Sequence, residues 1–230
     1  MLQDSITFDL SKGLRNKMKK IGFWLVTLVL VSCHGGKKYH DEQPEINVDS
    51  KELQEIVDFQ KELNASFKDP DTSPLPDRLR KNFESLDFFT PDVSYKVMAR
   101  FERTPDAVPF LMPTTTDEQT MEVLYGIAFF ELNGESHQLE IYQTPALTTQ
   151  PQYRDYLFLP FLDETNGEET YGGGRYIDLT IPKGDSILID FNRAYNPYCV
   201  YNKKYSCPLV PRQNYLRTKV RAGVKDFMKE

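Results

Sequence analysis

From Ser50 onward apolar residues return at helical spacing. In "SKELQEIVDFQKELNASF", Leu53, Ile56, Val57 and Leu63 fall on one face, and Ser50 stands where a capping hydroxyl starts a helix, with Gln54 and Glu55 close behind. The turn-rich "SPLPDRLRKNFESLDFFTPD" follows; it predicts a short helix around Asp77 to Glu84 and places Phe83, Leu86, Phe88 and Phe89 in the core. Beyond Val93 the period drops to two. In "SYKVMARFER", Tyr95, Val97, Ala99 and Phe101 alternate with Lys96, Met98, Arg100 and Glu102, the pattern of a strand with one buried face. "MEVLYGIAFFELNGESHQLEIYQ" holds two more strands joined at the hairpin dipeptide Asn133-Gly134. Further strand-like runs lie at Tyr156–Phe161, Arg175–Ile181, Ile187–Phe191 and Leu216–Ala222, with Pro182-Lys183-Gly184-Asp185 as a turn. Short strands at this density predict a mainly β fold, an antiparallel β-sandwich or barrel-like domain with an N-terminal helix.

Ahead of this domain the pattern is different. From Met18, "MKKIGFWLVTLVLVSC" runs from basic (Lys19, Lys20) through apolar (Ile21 to Val31) to Ser32 and Cys33, the layout of a secretory signal peptide. At about 1.5 Å per residue the apolar run reaches only about half of a ~30 Å hydrocarbon core. Leu30-Val31-Ser32-Cys33 resembles the lipobox of bacterial lipoproteins, in which Cys33 carries the lipid, acyl chains of the palmitate type, and becomes the mature amino terminus. Two or more acyl chains hold a protein to a membrane without a spanning helix. Asp4 and Asp9 precede the basic start, so residues 1–17 read as an upstream extension, 18–32 as signal, 33–49 as flexible linker and 50–230 as one β-rich domain. His34 and His40 fall in the linker, where no fixed geometry favours a metal. His34 rather than Asp after the cysteine points to onward sorting, hence to the outer membrane facing the periplasm.

Charge narrows the choice of partner. The chain stands at −6, and loss of residues 1–32 takes five Lys/Arg and two Asp/Glu, giving −9. Nucleic acid, which is bound through Lys and Arg, is excluded on this ground.

The densest chemistry lies between Pro160 and Asn214, and there the sequence resembles a known family. "YRDYLFLPF", "TNGEETYGGGRYIDL", "DFNRAYNPYC", "CPLVPRQN" and a late "RAG", with "ARFERTP" upstream, are similar to the bacterial family called domain of unknown function 1684, over about Leu75 to Gly223. That resemblance implies neither an activity nor a cofactor.

Read for themselves, the three glycines Gly172 to Gly174 are followed by the alternating Arg175-Tyr176-Ile177-Asp178-Leu179 and by no helix, so they make a turn or bulge rather than a phosphate loop. Arg175 offers a planar fork to a carboxylate or phosphate. Asp163, Glu169, Asp178 and Asp190 are either an acid/base pair or cation site, or an ion-pair and capping network with Arg175, Arg193, Asn192 and Asn196. Asp163-Glu164-Thr165-Asn166-Gly167 lacks the spacing and closing glutamate of a calcium loop. His137 is the only domain histidine, and no serine sits in a nucleophile elbow. Cys199 and Cys207 have neither CxxC nor HxxxH company for zinc; in an exported protein they read as a disulfide, and otherwise as small apolar residues. No cofactor is implied.

Three functions compete at this stage. The first is a lipid-anchored envelope protein that binds a polar or anionic small molecule or envelope component through Arg175, Asp190, Asn192, Arg193, Tyr195 and Asn196, with Asp163, Glu169 and Asp178 nearby. The second is a hydrolase using two of the carboxylates, and the third a structural assembly component. Carboxylates converging in one cleft, with one shifted upward in pKa, would favour the enzyme. The anchor has its own test: Cys33→Ser is expected to move the protein from the membrane to the soluble fraction and to remove the acyl mass, and an unmodified, membrane-bound wild type would refute it.

Overall fold

In the computed structural model, residues 50–227 are described; the expected signal peptide, Cys33 and the linker lie outside them. Helix α1 (Lys51–Lys68) begins where the Ser50 hydroxyl accepts the Leu53 N–H at 3.2 Å, and it turns Ile56, Gln60 and Phe67 inward. Helix α2 (Asp77–Arg80) stops short of the expected Glu84. The chain beyond it is drawn onto α1 instead, with the Leu86 N–H donating to Asn64 Oδ1 at 2.7 Å.

Eight strands follow: β1 (Lys96–Arg103), β2 (Phe110–Pro113), β3 (Gln119–Leu132), β4 (Glu135–Gln143), β5 (Tyr156–Asp163), β6 (Arg175–Thr180), β7 (Ser186–Asp190) and β8 (Tyr215–Leu216). A one-turn helix α3 (Pro145–Thr148) lies between β4 and β5. The main path runs β6-β5-β4-β3-β1-β7, all antiparallel, with β2 beside β3 and β8 parallel to β5. Asn133 (φ 54°) and Gly134 (φ 80°) make the β3–β4 turn.

This order dictates the shape. The two end strands, β6 and β7, are consecutive in the chain, and only residues 181–185 separate them. Laid flat, six strands about 4.8 Å apart would hold their ends about 24 Å from each other, and six residue steps span at most about 21 Å. The sheet therefore curls into a half-barrel. Its concave face carries the main core, with Ala99, Phe101, Leu139, Ile141, Leu157, Phe161, Ile177 and Ile189 among its buried residues. The β1 alternation is real, with Ala99 fully buried and Met98 65% exposed.

One ion pair fixes the end of the domain. Arg175 and Asp163, both with side chains 0% exposed, meet at 2.8 Å. The guanidinium also donates to three backbone carbonyls of the last segment: Val220 at 2.8 Å, Ala222, and Val224 at 3.4 Å. Its plane lies against Phe161 and Phe89. Asp163 Oδ1 accepts from Thr165 and from the Val220 N–H at 3.1 Å. The run Leu216–Ala222, expected as a strand, is strand only at Leu216. It keeps the alternation, with Val220, Ala222 and Val224 buried, but its inward carbonyls are occupied by Arg175 instead of a neighbouring strand. Gly172 to Gly174 form the turn that feeds Arg175 into this position. Gly174 has φ +90°, and a Cβ there would meet the Phe161 carbonyl at 2.6 Å.

Breaking a buried pair from one side strands the other charge, at a cost of roughly 3–5 kcal/mol. Arg175→Met should lower stability in urea melts by about that amount, and combining it with Asp163→Asn should recover part of the loss. An Arg175→Met protein that melts like the wild type would remove this pair from its central position.

Candidate functional site

The register of the sheet builds a second face. Leu124 opposes Tyr142, Tyr142 opposes Phe158, and Phe158 opposes Asp178, so one row crosses four strands and ends in a carboxylate on the edge strand β6. Two residues along, and therefore on the same face, stand Glu122, Tyr156 and Tyr176. Phe59, Leu63 and Phe67 of α1 form another wall, and the segment from Arg193 to Pro208 closes the rim. Between them is a cleft of about 670 Å³, a size that suits a small organic molecule. Aromatic side chains dominate its lining, among them Tyr153, Tyr156, Phe158, Tyr176, Tyr195, Tyr198 and Tyr205.

Two carboxylates face this aromatic space in different conditions. Glu122 is 2% exposed, and burial raises its pKa, opposed by the Thr144 hydroxyl. That hydroxyl lies 3.0 and 2.9 Å from the two carboxylate oxygens, and the Thr120 hydroxyl acts in the same direction. Glu122 has no Lys, Arg or His ion-pair partner among the described residues. Asp178 lies nearer solvent, and its Oδ1 accepts from Tyr156 Oη at 2.9 Å and Tyr195 Oη at 2.6 Å. Burial, then the Asp178 charge, push both tyrosine pKa values upward, so the two hydroxyls stay protonated donors. Tyr195 is held for this by a reciprocal backbone pair with Tyr176, at 2.9 and 3.0 Å.

The residues singled out in the sequence divide into two sets. Asp178, Arg193, Tyr195 and Asn196 meet at the cleft. The others do not. Arg175 and Asp163 are sealed in their own network, which corrects the expectation that Arg175 presents its fork to a ligand: its two terminal nitrogens are taken by carbonyls and by Asp163, and its side chain is fully buried. Asp190 caps its own turn, accepting from Asn192 N at 3.0 Å, and Asn192 is pinned to Asp92 by bonds of 3.0 and 2.8 Å. Glu169 pairs with Arg221 at the surface. A shared Arg175–Asp190 pocket is therefore absent, and the four carboxylates proposed for a hydrolase do not converge. Cys199 and Cys207 are free thiols rather than the expected disulfide. Cys207 Sγ instead accepts the Cys199 N–H at 3.1 Å, and a hydrogen bond from Cys207 draws the Cys199 thiol down to about 6.

Glu122 escaped the sequence reading, although a signal was there: in "QTMEVLY" it shares strand phase with Thr120 and Leu124, a charged residue on a face that is otherwise being buried. Among the described residues no group of three or more His, Cys, Asp or Glu is placed to hold a metal ion.

Residues 81–225 match the family described as Protein of unknown function (DUF1684). The chain belongs to this family. The solution NMR structure of an uncharacterized protein from Haloarcula marismortui is similar to this DUF1684 chain, at 32% identity, with 75% of this chain and 92% of that one covered and a TM-score of 0.59. No curated protein matches. The cleft described above lies within a DUF1684 domain except for its α1 wall, which precedes the matched residues.

The raised Glu122 pKa sets a pH dependence. The folded state holds a proton that the unfolded chain releases near pH 4.3, so Glu122's contribution to stability falls as pH rises from there through the folded pKa. Relative to Glu122→Gln, the wild type should therefore lose melting temperature as pH rises from about 4.3. Parallel melting curves above that pH would show Glu122 to be unperturbed.

Proposed function

We propose that this DUF1684 protein is a small-molecule binding protein of the cell envelope, tethered through Cys33 with its ligand site in the tyrosine cleft. One observation carries the binding reading: an aromatic cleft of about 670 Å³ whose floor includes a buried carboxylate without a counter-ion. The fully buried Arg175 and Asp163 are paired with each other, and a lone carboxylate reduces stability unless something else uses it. The lipid anchor rests on the sequence from Met18 to Cys33 and on the acidic mature chain; it would hold the cleft close to a membrane without burying it.

A hydrolase using the same cleft is the second reading. Its support is that Glu122, whose pKa burial raises, shares a face with Asp178, held as an acceptor by two tyrosines. An acid and a base separated by environment are what such chemistry requires.

Leu147, half-buried in the cleft lining, gives the test. Small molecules co-purifying with the wild type and identified by mass spectrometry should be lost from Leu147→Trp, whose larger ring fills the cleft, while the melting temperature changes little. Recovery of the same compounds in equal yield from both proteins would overturn the binding site. Recovery of cleaved products, lost in Asp178→Asn, would move the conclusion to the hydrolase.

A further inference from the structure

We infer that the tyrosine cleft takes an organic ammonium ion, a cationic nitrogen carried on alkyl groups and free in solution. The inference rests on the reading of the cleft as a ligand site and names what enters it. Its starting point is Glu122. A carboxylate taken out of water needs either a proton or a cation. Among the described residues only hydroxyls, Thr144 foremost, serve it, and no basic side chain pairs with it. Arg193, the one cation of the lining, lies over the Phe59 ring at 4.8 Å, with the Glu55 carboxylate close enough to feel its charge.

The rest of the lining fits the same class. Aromatic walls attract a cation through their ring quadrupoles, and they do so best where water is excluded. Asp178 uses Oδ1 for the two tyrosine hydroxyls, and Oδ2 takes no hydrogen bond from the described residues. A second negative charge thus stands on the same face as Glu122. An anionic ligand would meet two carboxylates, and a neutral one would leave Glu122 uncompensated. A metal ion would lack the third side-chain ligand that a stable site needs.

The test uses tetramethylammonium, choline and benzyltrimethylammonium, with 3,3-dimethylbutan-1-ol as the neutral isostere of choline, titrated calorimetrically into the wild type and into Glu122→Gln and Asp178→Asn. At least one cation should bind, with choline at least tenfold tighter than its isostere. Each substitution should weaken cation binding at least tenfold, and Leu147→Trp should abolish it. Melting temperatures no lower than that of the wild type for Glu122→Gln would show that the loss is not unfolding. Equal affinity for choline and its isostere would overturn the inference and leave the binding site standing. Absence of cation binding would also overturn it; if Leu147→Trp then retains every co-purifying compound, the cleft itself is refuted as well.

Discussion

A guanidinium in the interior organises this domain. Arg175 has no contact with solvent, yet it is the hub at which β5, β6 and the last segment of the chain meet. A buried ion pair is seldom a gain in stability over an apolar pair of equal volume, because desolvation opposes the attraction. Its value here is geometric. Two planar forks, one of nitrogens and one of oxygens, set the positions of Val220, Ala222 and Val224 to within hydrogen-bond tolerance, where apolar contacts alone would allow the segment to slide. The same anchoring reaches the cleft, since Val224 N–H donates to the Ala194 carbonyl and Asn196 Nδ2 to the Lys225 carbonyl.

The curled sheet thus has two occupied faces with different chemistry. The concave side is filled by aliphatic and aromatic residues, with the Arg175–Asp163 pair buried at its end. On the other side Met112, Tyr142, Phe158 and Tyr176 make a smaller cluster, and the cleft opens beside it. Glu122 belongs to this side, and its burial runs against stability. Such a residue is the mark of a site where shape and charge serve something other than folding.

Much of the fold could be read from periodicity. Ser50 announces α1, Ala99 and Phe101 alternate as half-buried strand residues should, and Asn133-Gly134 closes its hairpin. The failures have one cause: local pattern is blind to which distant group satisfies a carbonyl. Leu216 to Ala222 alternates like a strand, but a side chain distant in sequence takes the place of its partner. For the same reason the ionisable residues between Asp163 and Asn196 were legible as a polar centre and illegible as a site. Spacing cannot tell Asp163, which faces Arg175, from Asp178, which faces two tyrosines. Glu122 was hidden by its distance along the chain, brought to Asp178 only through the rows of β4 and β5.

Val224 has a further consequence. It bridges to Phe88, while Gly223 and Asp87 exchange hydrogen bonds with Phe89 and Lys225 across the same seam, so the domain's opening and its close are stitched together. A growing polypeptide therefore cannot complete its core until Val224 has left the ribosome. Until then Arg175 has no carbonyl cage and stays hydrated. Contacts so remote in sequence make for late, slow closure, and they keep the unfinished chain open enough to be threaded elsewhere before it sets.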